Sequence, residues 1–345
     1  MGFEGSGTAA SALIVSLLVF ANTLNIAADI AAMGESMQLL VGGPPHVYAV
    51  GFGSVCLLLQ VFLPYQRYVR YLKWLTLALL AYVVLVLTIR IPWYEVASRT
   101  VTPHFALTSD YLTVIVAVFG TTISPYLFFW QASQEVEEVN ADPQAGPLAD
   151  APEGAEEHLR RIKIDTYLGM GFSNLVAFCI ILGCAATLNV RGITDIQTAA
   201  QAAEALRPLA GEFTFILFAL GIVGTGLLAV PVLAGSAAYA VAETFEWKRG
   251  LDLKLLEARE FYAIIALATF GGVALDFSPV DPIKALFWCA VINGVIAVPI
   301  MIVMMLLADD RKVMGTFTVT RPLKAFGWLA TGTMAAAVAA MLATW

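Results

Sequence analysis

Long apolar runs follow one another along this chain, separated by short polar interruptions. Nine such runs lie at about 9–33, 46–63, 72–91, 110–131, 164–189, 212–245, 259–277, 283–307 and 323–344. Each is close to the roughly 20 residues that a helix needs to cross a hydrocarbon layer. The runs are continuous and lack a period of two, so they predict helices and not barrel strands. The pattern therefore predicts an all-α polytopic membrane protein with nine transmembrane helices. The run at 212–245 is too long for one straight crossing. It predicts either a kink at Pro231 or an end that projects beyond the bilayer. The one long polar stretch, 134–163, is rich in Glu, Ala and Pro and reads as a flexible cytoplasmic loop. The remainder, over 1–345, reads as a single transmembrane domain.

Composition agrees with the pattern. The 345 residues are 59% hydrophobic and 13% charged, where a soluble domain carries about 25% charged residues. The main partner is thus the lipid bilayer. The net charge of -7 arises with the acids clustered in the polar loop. No basic patch stands out, so nucleic acid is excluded as a partner. The first run has no basic segment before it and no small-residue cleavage site, so it is not a secretory signal.

The 19 Lys and Arg residues set an orientation. With the N-terminus inside and nine crossings, the inside loops hold Arg67, Arg70, Lys73, Arg160, Arg161, Lys163, Lys248, Arg249, Lys254, Arg259, Arg311, Lys312, Arg321 and Lys324. The outside loops hold Arg90, Arg99, Arg191, Arg207 and Lys284. This excess of inside cations predicts a cytoplasmic N-terminus and an outside C-terminus.

Polar groups within the apolar runs are the candidates for chemistry, because they are costly in lipid. Asn22, Asn25 and Asp29 are spaced by three and four and share one helical face. They read as an interhelical hydrogen-bond network or as a proton or ion relay. In the fourth run, Gly120-Thr121-Thr122-Ile123-Ser124-Pro125-Tyr126 crowds small, hydroxyl and imino residues into apolar sequence. Pro125 offers no amide donor, which leaves the Thr121 carbonyl without its helical partner. Such a break is an ordinary kink or half of a midplane ion site built from exposed carbonyls. Glu135, Glu137 and Glu138 follow as a solvated helix end or a cation-attracting vestibule. Asn293 in the eighth run is a second contributor to such a site or a packing amide. Gly221, Gly224, Thr225 and Gly226 read as packing residues that allow close helix approach.

His46, His104 and His158 all fall in predicted loops. Cys56, Cys179, Cys184 and Cys289 fall inside apolar runs and read as small core residues, not disulfides or ligands. An intramembrane ion site is then expected to be built from oxygen, which suits hard divalent ions. No paired acids or nucleophile beside a base support an enzyme, and no cofactor is called for.

Three segments carry a family resemblance. Asn22-Thr-Leu-Asn-Ile-Ala-Ala-Asp29 resembles the third helix of the Nramp divalent-metal transporters. Gly120 to Tyr126, continuing through Gln131 to Glu138, resembles their sixth helix in a divergent bacterial branch. Asn293 through Gly315 resembles the end of the tenth helix and the loop after it. The resemblance covers about 15–345. It implies a partial LeuT-like inverted-repeat bundle, helices three to eleven of the Nramp fold, in a bacterial cytoplasmic membrane.

The resemblance further implies a secondary transporter of divalent metal cations, manganese, magnesium or a broad range, with the metal as substrate. Its metal ligands would be Thr121 through its carbonyl, Ser124 and Asn293. Asp29 would be the proton-pathway acid, with Tyr126, Gln131 and Arg259 in the proton pathway or gate and Asn22 and Asn25 as a polar network. Ser124 stands where the family carries a methionine, and Tyr126 and Gln131 stand where it carries histidines. Loss of the soft thioether opens the site to magnesium. The family's first helix supplies an Asp-Pro-Gly-Asn ligand motif, and residues 1–12 do not resemble it. A partner two-helix fragment at the N-terminal side is therefore expected. The competing readings are a non-transporting remnant, one part of a split transporter, and an amino-acid permease of similar architecture.

Overall fold

The structure, a computed structural model, describes residues 4–63, 70, 74, 77, 79–89, 91–102, 105–141, 155–192, 199–279 and 281–345. All the elements among them are helical. In chain order they are α1 (Glu4–Val41), α2 (Pro45–Phe62), α3 (Leu80–Thr88), α4 (Trp93–Val101), α5 (Ser109–Thr122), α6 (Pro125–Ala141) and α7 (Ala155–Thr187). A short 3₁₀ turn at Asn189–Arg191 precedes α8 (Ala199–Thr244), α9 (Arg259–Asp276), α10 (Pro282–Asp309), α11 (Arg311–Met314) and α12 (Arg321–Thr344).

Among the described residues, seven segments are long and apolar enough to cross a membrane: Ala12–Val41, Pro45–Phe62, Ser109–Val139, Glu157–Thr187, Ala219–Thr244, Pro282–Asp309 and Arg321–Thr344. These match seven of the nine expected runs. The expected run at 259–277 does form a helix, α9, but its 18 residues include the charged Arg259, Glu260 and Asp276 at the two ends. Of the run at 72–91, Leu80–Thr88 is helical, and 72–73, 75–76, 78 and 90 lie outside the described residues. Large apolar side chains point outward along these helices, among them Leu58 at 55% and Leu329 at 65% exposure. In water that surface would be unfavourable; against acyl chains it costs nothing, which is why a membrane helix can be apolar on every side.

Two expectations are corrected. The polar stretch 134–163 is not a loop throughout: α6 continues to Ala141 and α7 already begins at Ala155. Residues 142–154 lie outside the described residues. Arg161 on α7 bridges Glu135, at 2.8 Å, and Glu138 on α6. Those glutamates are three apart and face one way, so a single guanidinium holds both. The histidines are not all in loops. His158 lies in α7, and His46 lies in the first turn of α2, where its Nδ1 is 2.7 Å from the Asp276 carboxylate at the end of α9. His104 lies outside the described residues. The long eighth helix runs through Pro231 without interruption as far as Thr244.

The chain divides into two compact units. One comprises Met1–Ala21, Ala106–Gly169 and Phe287–Trp345; the other comprises Asn22–Phe105 and Met170–Leu286. In the second unit, one face of α1 is the core. Ile26, Ile30 and Met33 are each fully buried. Their spacing of four and three puts them in one stripe. Each sits against a glycine of a different helix: Ile26 against Gly272 of α9, Ile30 against Gly53 of α2, and Met33 against Gly226 of α8. A Cβ at Gly226 would stand 2.5 Å from the Met33 sulfur, so the packing role expected for that glycine holds. Where lipid supplies no hydrophobic driving force between helices, small residues that admit a neighbour's side chain set the contacts. α9 also packs on α8 and α2, and α8 packs on α2 and α3.

In the first unit, α5 packs on α12. Their core holds Leu112, Val116 and Ala117 from α5 and Val338 and Met341 from α12, joined by Val291 of α10. This packing fixes the end of α5, which is where the chain breaks.

Candidate ion site at the broken helix

The fourth apolar run is two helices, not one. α5 ends at Thr122, Ile123 leaves helical geometry with φ -116° and ψ 64°, and α6 starts at Pro125. Proline suits the first turn of a helix, where its missing amide proton is not needed, but it deprives the turn before it. The hydroxyls repair that loss locally. Ser124 Oγ donates to the Gly120 carbonyl at 2.7 Å and lies 3.2 Å from the Thr121 carbonyl. Thr121 and Thr122 bond back to Ala117 at 3.0 Å and to Val118 at 3.1 Å. Ser124 is buried, while Thr121 is exposed. A donating hydroxyl keeps its lone pairs, so Ser124 Oγ remains able to meet a cation.

Gly120 brings this break onto α10. A Cβ there would stand 1.9 Å from the Ala290 carbonyl oxygen and 2.5 Å from the Gly294 nitrogen. Gly294 is equally constrained, with the Val116 carbonyl 2.7 Å from its own would-be Cβ. The two helices thus cross at backbone contact, glycine to glycine. Asn293 is the next residue on α10 and is 3% exposed. Its Nδ2 approaches Cys289 Sγ at 4.0 Å, and its Oδ1 has no hydrogen-bond partner. Cys289 donates to the Ala21 carbonyl of α1 at 2.9 Å. An unpaired buried amide oxygen costs about 1–3 kcal/mol. A bound cation would remove that cost.

Of the expected site residues, the first unit therefore brings Thr121, Ser124 and Asn293 to within about a helical turn of one crossing. Tyr126 is half-buried on α6, and Gln131 is exposed one and a half turns further along it. Glu135 and Glu138 are engaged by Arg161, which gives them a structural role at the solvated end of α6. Cys289, read in the sequence as a small core residue, is buried one turn before Asn293 on α10.

The remaining expected residues belong to the second unit. Asn22 is fully buried, donates from Nδ2 to the Leu233 carbonyl of α8 at 2.9 Å, and leaves Oδ1 without a partner. Asn25 and Asp29 are half-buried on the same helix, and Cys56 of α2 lies within electrostatic reach of Asp29. Gln60 Oε1 and Thr269 Oγ1 are further buried polar atoms without partners in this unit. Arg259 is exposed at the first residue of α9.

The profile of one family, described as natural resistance-associated macrophage protein-like, Nramp, matches residues 4–344. The chain belongs to the Nramp family. The broken helix and its glycine crossing are therefore features of an Nramp protein, and a multi-pass membrane location follows from the family and the apolar helices together. Among curated proteins, the chain is similar to the divalent metal cation transporter MntH of Deinococcus radiodurans, 26% identical over 224 residues. That match covers 64% of this chain and 46% of the relative. The chain thus spans about half the length of the curated Nramp relative that it matches.

Proposed function

We propose that this protein carries divalent metal cations across a membrane, with the ion held where α5 breaks beside α10. The single observation that carries this reading is the buried, unpartnered Asn293 Oδ1, next to the Gly120–Gly294 crossing. The Thr121 carbonyl, Ser124 Oγ and Asn293 Oδ1 offer three neutral oxygens. A divalent ion with some of its water retained is a match for such a donor set. Small movements at the break would expose the ion to one side or the other, as broken helices in transporters allow.

The finer parts of the reading follow from sequence and family. Nine crossings in a partial LeuT-like inverted-repeat arrangement, a cytoplasmic N-terminus, an outside C-terminus and a bacterial inner membrane are consistent with the charge asymmetry of the loops. A divalent cation is favoured by the likeness to a divalent metal cation transporter, and the hard oxygen donors suit manganese and magnesium alike. Asp29, on the polar face of α1 with Asn22 and Asn25, is assigned to proton coupling; Tyr126, Gln131 and Arg259 complete the expected gate. The test is uptake of manganese and magnesium into proteoliposomes holding the full chain. Uptake lost in Asn293→Leu and Ser124→Ala supports the reading. Uptake unchanged in both variants places the ion elsewhere and overturns it.

A further inference from the structure

Where α10 passes to α12, the first unit gathers positive charge beside exposed apolar surface. Residues 309–324 hold four cations, Arg311, Lys312, Arg321 and Lys324, against two acids, Asp309 and Asp310. Two bonds close this segment into a tight loop: the Val319 amide donates to the Ala308 carbonyl at 3.0 Å, and Lys324 Nζ donates to Asp309 at 2.6 Å. Beyond the loop, Gly327 of α12 seats Met305 of α10, which keeps the two helices together. Both acids are engaged locally, Asp309 by Lys324 and Asp310 by the Lys312 amide at 2.9 Å. Arg311, Lys312 and Arg321 are exposed, and among the described residues no carboxylate lies within ion-pair reach of them. In water such cations would simply be hydrated. Here the loop joins two helices that are each long and apolar enough to cross a membrane, which sets it at the level of the lipid headgroups. Exposed apolar side chains adjoin the cations: Val313 on α11, then Leu323, Phe326 at 69% and Leu329 on α12. The last three are spaced by three and form a strip that leads from Arg321 along α12.

We propose that this loop binds an anionic phospholipid, its phosphate held by Arg311, Lys312 and Arg321 and an acyl chain laid along Leu323, Phe326 and Leu329. Arginine meets phosphate oxygens with paired N–H donors, and lysine meets them as a point charge. Cations clustered beside a membrane helix attract anionic headgroups in this way. The start of α12 adds to the same field, since Thr320 at its cap makes no side-chain bond to the first turn and the positive end of the helix dipole faces the loop. A soluble anion would satisfy the cations and leave the apolar strip uncovered. A phospholipid covers both, because one molecule joins the anion to the chain. The site lies wholly within the first unit and is independent of the ion site at the broken helix.

The test uses the full chain in nanodiscs of phosphatidylcholine with added phosphatidylglycerol, and native mass spectrometry counts the lipid that stays bound. Arg311→Gln, Lys312→Gln and Arg321→Gln together should lower retained phosphatidylglycerol on the order of tenfold or more. Arg99→Gln, Lys248→Gln and Lys284→Gln remove the same charge from exposed positions elsewhere and should leave retention unchanged. Equal loss in both triple variants reduces the effect to net charge and overturns the site. On the unmodified chain, phosphatidylglycerol should raise the melting temperature above that in phosphatidylcholine alone, and high salt should remove the gain. Equal melting temperatures in the two lipids overturn the proposal without recourse to a variant. Inorganic phosphate should not displace the lipid at equal concentration; displacement assigns the loop to a free anion instead. Pairing of two chains that ignores lipid charge and is lost in Phe326→Ala would give the apolar strip to a second copy, and would likewise overturn it.

Discussion

Gly120 and Gly294 meet backbone to backbone: a Cβ on Gly120 would stand 2.9 Å from the Gly294 Cα and 1.9 Å from the Ala290 carbonyl oxygen. Neither neighbour is a flexible side-chain tip, so nothing can yield without moving α5 from α10. Gly120→Ala should therefore cost about 1–3 kcal/mol or more through overpacking. Gly332→Ala, where nothing lies within 4 Å, should leave stability within about 0.5 kcal/mol. Thermal unfolding in detergent compares the two, and equal melting temperatures would count against the crossing.

Asn293 sets stability against function. Its unpartnered oxygen is a cost to the folded state that leucine would not bear. Asn293→Leu is thus expected to abolish manganese binding while raising the melting temperature or leaving it unchanged. Asn293→Asp places a negative charge at the same atom and should tighten divalent binding. Calorimetric titration and a melting curve on each variant read both effects. A destabilised Asn293→Leu that still binds manganese would assign Asn293 to packing.

Ser124 closes the break by donating to Gly120. Ser124→Ala removes that bond and should cost about 1 kcal/mol, together with a lower affinity for manganese. Ser124→Thr keeps the hydroxyl and should recover affinity. Affinity that fails to follow the hydroxyl would place this side chain outside the ion site.

In the second unit, Met33 fills the space that Gly226 leaves. Met33→Ala opens a cavity in a dry contact and should cost about 2–5 kcal/mol. Leu13→Ala, at 61% exposure, should change little. Chemical denaturation in mixed micelles separates the two. A cost at Met33 no larger than at Leu13 would mean that the stripe of α1 does not hold this unit.

Asp29 is the acid of the α1 polar face, and its proposed task is proton coupling. With Asp29→Asn, manganese uptake should no longer respond to an imposed pH gradient, while exchange of manganese between the two sides continues. Gradient-driven uptake that survives the substitution would assign coupling to another group.

Much of this protein follows from local sequence. Continuous apolar runs must become helices in lipid, because a helix satisfies every backbone group within its own segment. The break at Ile123–Ser124 is equally local, since Pro125 lacks an amide proton wherever it stands. The oxygens of Thr121, Ser124 and Asn293 could be named from residue type alone. The polar face of α1 could be read from spacing.

What required the tertiary structure is the partner of each group. No periodicity says that Gly120 meets Gly294, or that Ile26, Ile30 and Met33 enter three different glycine clefts. Those pairings join residues far apart in sequence and depend on how whole helices cross. The same holds for Arg161, which turns two of the expected vestibule acids into a clamp between α6 and α7. It holds for Cys289, a small apolar residue by sequence and a neighbour of an unsatisfied amide in space. Sequence determined which atoms are costly to bury. Only the packing decided which of them stay unsatisfied, because a hydrogen bond is a property of two positions and not of one.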